Sequence, residues 1–188
     1  MWLAHALTLS RIPIAAAFWL TYGDWRLSLA LVVLAALTDA ADGTVARWAR
    51  RRTGDTGPSA GEWLDPLADK AFILLVLGAI QVHDPVPWSI IALILARELV
   101  LIPLAMVYRL VVHGRGEHAF QANAIGKAAT VAELVAIGVL VVRSSVAAVE
   151  LLVAPVALIT GALGLVAVVH YIARASHSHE ALEDHGTR

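Results

Sequence analysis

Long apolar runs, broken at intervals by short polar or turn-forming stretches, dominate the pattern along this chain. Six such runs can be read, each close to the ~20 residues a helix needs to cross a bilayer. They extend over about 7–22, 27–47, 66–82, 88–112, 125–142 and 147–171. The breaks between them carry turn chemistry: Gly23-Asp24, the 48–60 loop, His83-Asp84-Pro85, the 113–116 segment and Arg143-Ser144-Ser145. Pro13, Pro103 and Pro155 fall inside or near runs, where membrane helices tolerate them better than soluble ones do. The pattern predicts an all-α integral membrane protein with six transmembrane helices. Residues 1–175 form one transmembrane domain, and 176–188 form a polar C-terminal tail.

Composition agrees with that picture. The chain of 188 residues is 59% hydrophobic and only 15% charged, with a mean hydropathy of +0.74, which is rare for a soluble domain of this size. Without cysteine there is no disulfide framework and no thiolate zinc site. The net charge of −1 excludes little, but its distribution is informative. With the N-terminus inside, the inner connections hold Arg47, Arg50, Arg51, Arg52, Arg109, Arg115, Lys127, Arg174 and Arg188, and the outer ones hold Arg26 and Arg143. Both termini are therefore expected in the cytoplasm, in a multi-pass protein of the cell membrane. The first run lacks a basic leader and carries Arg11, so it reads as a retained helix rather than a signal peptide. Trp2, Trp19, Trp25 and Trp88 fall near helix ends and read as interface anchors.

Against this apolar background, four carboxylates stand out at the ends of the second and third runs: Asp39, Asp42, Asp65 and Asp69. Charge there is costly in lipid and is usually retained for function. Asp39 and Asp42 are three apart, and Asp65 and Asp69 four apart, so on helices each pair shares a face. Two such faces brought together form an oxygen-only cage suited to hard divalent cations. Arg47 lies two turns beyond Asp39 on much the same face, and its planar guanidinium suits a phosphate oxygen. Gly43 and Ala46 leave that face bare enough for a flat polyanion to approach the backbone. Any one of these aspartates could be a solvated helix-end residue. All of them together, with the fixed Gly, Ala and Arg, are hard to read so blandly.

The array Asp39, Asp42, Gly43, Ala46, Arg47, Gly61, Asp65, Asp69 resembles the signature of the CDP-alcohol phosphatidyltransferase family, D-x2-D-G-x2-A-R, a spacer, then G-x3-D-x3-D. Every fixed position is met. The spacer holds 13 residues where the family usually has about eight or nine. The excess falls in a stretch rich in Arg, Gly, Pro and polar residues, where insertions are tolerated.

The resemblance implies a phosphotransferase of phospholipid biosynthesis, with its active site at the cytoplasmic end of the second and third helices. CDP-diacylglycerol would be the donor, a small polar or lipid alcohol the acceptor, and two Mg²⁺ or Mn²⁺ ions the cofactors. Asp39, Asp42, Asp65 and Asp69 would bind metal, and Asp69 would also serve as the base. Asp39, Asp42, Gly43, Ala46, Arg47 and Gly61 would line the nucleotide and its diphosphate. Surrounding lipid is the other expected partner, a homodimer is implied by resemblance alone, and nothing points to nucleic acid.

Further segments, Ile125-Gly126-Lys127 and Ala96-Arg97-Glu98 among them, look like those of phosphatidylglycerophosphate synthases, which implies glycerol 3-phosphate as acceptor. Arg97, Arg109 and Lys127 are the candidate acceptor-binding cations. Arg97 also has a plainer reading, an internal ion pair with Glu98 or an aspartate that holds helices together. The same scaffold serves cardiolipin synthases, whose acceptor is phosphatidylglycerol, and inositol-phosphate transferases. A different class, a membrane cation transporter, would also use intramembrane acids, but it predicts acids spread along a path and has little use for Arg47 beside them. Glu133 and Glu150 are single charges without a motif.

Overall fold

The computed structural model describes residues 2–38, 64–111 and 124–186. Every regular element in it is helical. In chain order these are α1 (Trp2–Thr21), α2 (Trp25–Thr38), α3 (Leu64–His83), α4 (Trp88–Ile94), α5 (Ala96–Val111), α6 (Ala124–Arg143), a short 3₁₀ turn (Ala147–Val149) and α7 (Glu150–Gly186). Among the described residues two stretches are long and apolar enough to cross a bilayer, Ile125–Arg143 and Ala147–Ala173, with mean hydropathies of 2.0 and 2.5. Arg11–Thr21, Trp25–Thr38 and Lys70–His83 are apolar but shorter. Large apolar side chains stay uncovered, among them Leu20, Leu151 and Val169, as expected where lipid replaces water.

The chain divides into two compact units, residues 1–86 with 137–150, and residues 87–136 with 151–188. In the first unit α1 packs on α3. Phe72, Ile73, Val76, Leu77 and Ile80 recur at helical spacing and are buried, while Leu74, Leu75 and Val82 are exposed. Trp19 lies across this contact and donates from Nε1 to the Leu75 carbonyl at 2.9 Å, so it packs helices as well as lying near a helix end. The expected break at Gly23-Asp24 is present: Asp24 caps α2, its Oδ1 accepting from the Arg26 and Leu27 amides at 2.9 and 3.3 Å. After α3, Gln81 closes the loop with a paired amide clamp on Val86, both bonds 3.1 Å. Arg143, at the end of α6, pairs with Asp84 at 3.0 Å and donates to the Asp84 carbonyl at 2.6 Å.

In the second unit, the run expected as one helix over 88–112 is two helices meeting at Leu95. The interruption coincides with a close approach of α7. A Cβ added to Gly161 would lie 3.1 Å from the Leu93 carbonyl, and one on Gly164 would lie 3.1 Å from the Arg97 Cβ. Small residues let helix backbones come this near in lipid, where packing drives association. Thr160, beside these glycines, donates to the Ala132 carbonyl of α6 at 3.2 Å. Pro13, Pro103 and Pro155 all sit within helices. α7 runs on to Gly186, so the segment read as a polar tail continues the helix.

Candidate active site

α2 is described up to Thr38, the residue before Asp39, and α3 begins at Leu64, the residue before Asp65. Asp39, Asp42, Gly43, Ala46, Arg47 and Gly61 lie outside the described residues, as does the 48–60 loop. Asp65 and Asp69 fall in the first two turns of α3, one turn apart along it. Pro66 suits that position, because the first-turn amides of a helix have no intrahelical acceptor and its missing N–H costs nothing there. Two carboxylates one turn apart at a helix start offer oxygen donors only, which fits a hard divalent cation and not a soft one. Among the described residues no group of three or more His, Cys, Asp or Glu gathers to hold a metal.

The three candidate acceptor cations have different surroundings. Arg109 lies near the C-terminal end of α5. Lys127 lies in the first turn of α6 and is exposed. Arg97, next to the break at Leu95, is already supplied with acceptors. Its Nε donates to Glu98 Oε1 at 2.7 Å, Nη1 to the Gly126 carbonyl at 3.0 Å and to Thr130 Oγ1 at 2.9 Å, and Nη2 to Glu133 Oε2 at 3.3 Å. Nη2 also lies 2.7 Å from Glu98 Oε1. The Arg97 side chain is 11% exposed and those of Glu98 and Glu133 are 7% and 2%. Nε, Nη1 and Nη2 of the Arg97 guanidinium all have acceptors within the protein. The geometry fits the plainer reading of Arg97, an internal ion pair that holds helices together.

Glu133 and Thr130 were not singled out by motif. Their signal is spacing, since Thr130 and Glu133 follow Gly126 at i+4 and i+7 on one face of a largely apolar helix. Such spacing inside a membrane helix calls for an internal partner. It does not say which one.

Similarity to known proteins extends well beyond the motif. The family description "CDP-alcohol phosphatidyltransferase" matches residues 1–173. A probable phosphatidylglycerophosphate synthase of Mycobacterium tuberculosis is 36% identical over 187 residues, 92% of this chain and 81% of that protein. The CDP-diacylglycerol–glycerol-3-phosphate 3-phosphatidyltransferase of Bacillus subtilis is 31% identical over 159 residues, covering 76% and 77%. Human cardiolipin synthase (CMP-forming) is 32% identical over 108 residues, 56% of this chain, and the chain spans about a third of that protein (34%). A match that runs from the first helix into the last, around a signature complete at every fixed position, means that this chain belongs to the CDP-alcohol phosphatidyltransferase family of integral membrane enzymes.

Proposed function

We infer that the enzyme transfers the phosphatidyl group of CDP-diacylglycerol to glycerol 3-phosphate and releases CMP. The observation that carries this reading is coverage: the glycerol-3-phosphate enzyme of Bacillus subtilis matches across three quarters of the chain (76%), and the mycobacterial relative across 92%. Cardiolipin synthases match over a shorter part, 56% for the human protein, so phosphatidylglycerol is the second reading for the acceptor. Membership of an enzyme family removes the cation-transporter reading.

The reaction divides its tasks among the residues of the motif. Asp39, Asp42, Asp65 and Asp69 would hold two divalent ions, Mg²⁺ or Mn²⁺, which when bound would neutralise phosphate oxygens and stabilise charge on the departing CMP. Arg47 grips the diphosphate, while Gly43, Ala46 and Gly61 let the nucleotide lie close to the backbone. Asp69 takes the proton from the acceptor hydroxyl, which is a poor nucleophile at neutral pH. The hydroxyl oxygen attacks the lipid-side phosphorus, the new P–O bond forms, and the bond to CMP breaks with its electron pair leaving on CMP. Lys127 and Arg109 hold the phosphate of the acceptor. A six-span, multi-pass arrangement with cytoplasmic termini puts this chemistry at the headgroup level, where the donor's acyl chains stay in lipid and the nucleotide stays in water.

The test is CMP release by purified protein with CDP-diacylglycerol and Mg²⁺ or Mn²⁺, comparing glycerol 3-phosphate, phosphatidylglycerol and inositol phosphate as acceptors. Turnover with glycerol 3-phosphate is expected. Turnover with phosphatidylglycerol alone would transfer the assignment to the second reading, and no CMP release with any acceptor would count against both.

A further inference from the structure

We propose that Arg97 is a positioning residue for acceptor recognition: it fixes the first turn of α6 and so sets where Lys127 stands. The inference rests on the reading of Lys127 as a contact to the acceptor's phosphate. Gly126 immediately precedes Lys127, in the first turn of α6. Its carbonyl accepts from Arg97 Nη1 at 3.0 Å and from Thr130 Oγ1 at 3.1 Å, and Nη1 also donates to Thr130 Oγ1 at 2.9 Å. The three groups close a small ring of hydrogen bonds on the residue before the lysine.

That ring has a physical purpose. Helix ends fray, and glycine has the largest backbone freedom of any residue, so Gly126 in a first turn would let Lys127 sample many directions. Arg97 removes that freedom only because it is itself immobile. Glu98 and Glu133 hold its guanidinium from α5 and α6. On the third side α7 lies against its backbone, where a Cβ on Gly164 would meet Arg97 Cβ at 3.1 Å and its amide nitrogen at 3.3 Å. Lys127 is exposed one residue further along. A buried, neutralised arginine thus serves the exposed lysine, and a chain of contacts runs from Gly164 through Arg97 and Gly126 to it.

The experiment uses the full chain in detergent micelles, with glycerol 3-phosphate and CDP-diacylglycerol varied separately in the CMP-release assay. Arg97→Ala would remove both ion pairs together with the ring and confound folding with positioning, so Thr130→Val is the informative variant. It opens the ring without touching either ion pair. The expected result is a KM for glycerol 3-phosphate raised roughly two- to tenfold, the effect of one ordinary hydrogen bond, with kcat and the KM for CDP-diacylglycerol unchanged. Partial unfolding would lower the maximal rate and leave both KM values alone. Arg97→Lys, which keeps the cation and loses the fork, is expected to shift the same KM in the same direction.

Lys127→Gln separates the two layers of the argument. It should raise that KM by itself, and adding Thr130→Val to it should then raise it no further, because the ring acts through the lysine. A full additional rise in the double variant, or a wild-type KM in both Thr130→Val and Arg97→Lys, would overturn the positioning role while leaving Lys127 as the contact. An unchanged KM in Lys127→Gln would overturn the Lys127 reading and the positioning role with it.

Discussion

Arg97 and Glu133 stand 36 positions apart in sequence, yet their side chains meet at 3.3 Å with Glu133 2% exposed. Breaking such a pair by removing one partner leaves the other charged and buried. Because Glu98 stays 2.7 Å from the guanidinium, Glu133→Leu is expected to destabilise the protein by about 1–3 kcal/mol, whereas Glu133→Gln, which keeps an acceptor for Nη2, should cost less. Thermal unfolding of the two variants in the same detergent checks the order. Equal losses would mean that charge contributes nothing at this position.

The sequence carried the start of α3 plainly and the role of Glu133 not at all. Gly61, Asp65, Pro66 and Asp69 are local signals, and local signals suffice to place a helix start. An ion pair across 36 residues depends on which helix lies opposite, and hydrophobic periodicity is silent on that when a helix is apolar on every side. The interruption at Leu95 was illegible for the same reason, since its counterpart is a pair of glycines on α7. Arg97 was readable as an ion pair with Glu98 but not as the partner of Gly126 and Thr130, which come 29 and 33 residues later.

Glycines in this chain differ in what they can bear. At Gly161 a methyl would lie 3.1 Å from both the Leu93 carbonyl and Leu93 Cδ2, and the carbonyl is backbone that cannot step aside. Gly161→Ala should cost about 1–3 kcal/mol through overpacking. At Gly23, before the capped start of α2, a Cβ meets nothing within 4 Å. Gly23→Ala should be neutral or stabilise by up to about 1 kcal/mol, by restricting the unfolded chain. Unfolding midpoints of the pair measured side by side test the contrast, and similar midpoints would refute it.

Arg143 ties the end of α6 to the loop after α3. Its side chain is 8% exposed, and it reaches the Asp84 carboxylate, the Asp84 carbonyl at 2.6 Å and the Pro85 carbonyl at 3.4 Å. Arg143→Gln should lower stability by about 1.5–3 kcal/mol, the usual range for lost hydrogen bonds to a charged group. The KM values for both substrates should stay at wild type, because nothing in the proposed chemistry uses this residue. A shift in either KM with stability unchanged would show that the role had been misread.

Asp65 and Asp69 stand one turn apart at the start of α3, and the proposed mechanism asks different things of them. Chelation by EDTA should abolish CMP release, and added Mg²⁺ or Mn²⁺ should restore it. A residue that only binds metal can be compensated by mass action: Asp65→Asn should need more metal for half-maximal activity and recover substantially when metal is in excess. A residue that also removes the acceptor proton cannot be compensated that way. Asp69→Asn should remain about 10²- to 10⁴-fold below wild type at saturating metal, the usual loss when a general base is removed. Metal titrations of the two variants distinguish the roles. Full recovery of Asp69→Asn in excess metal would make it a ligand alone and place the base elsewhere in the array.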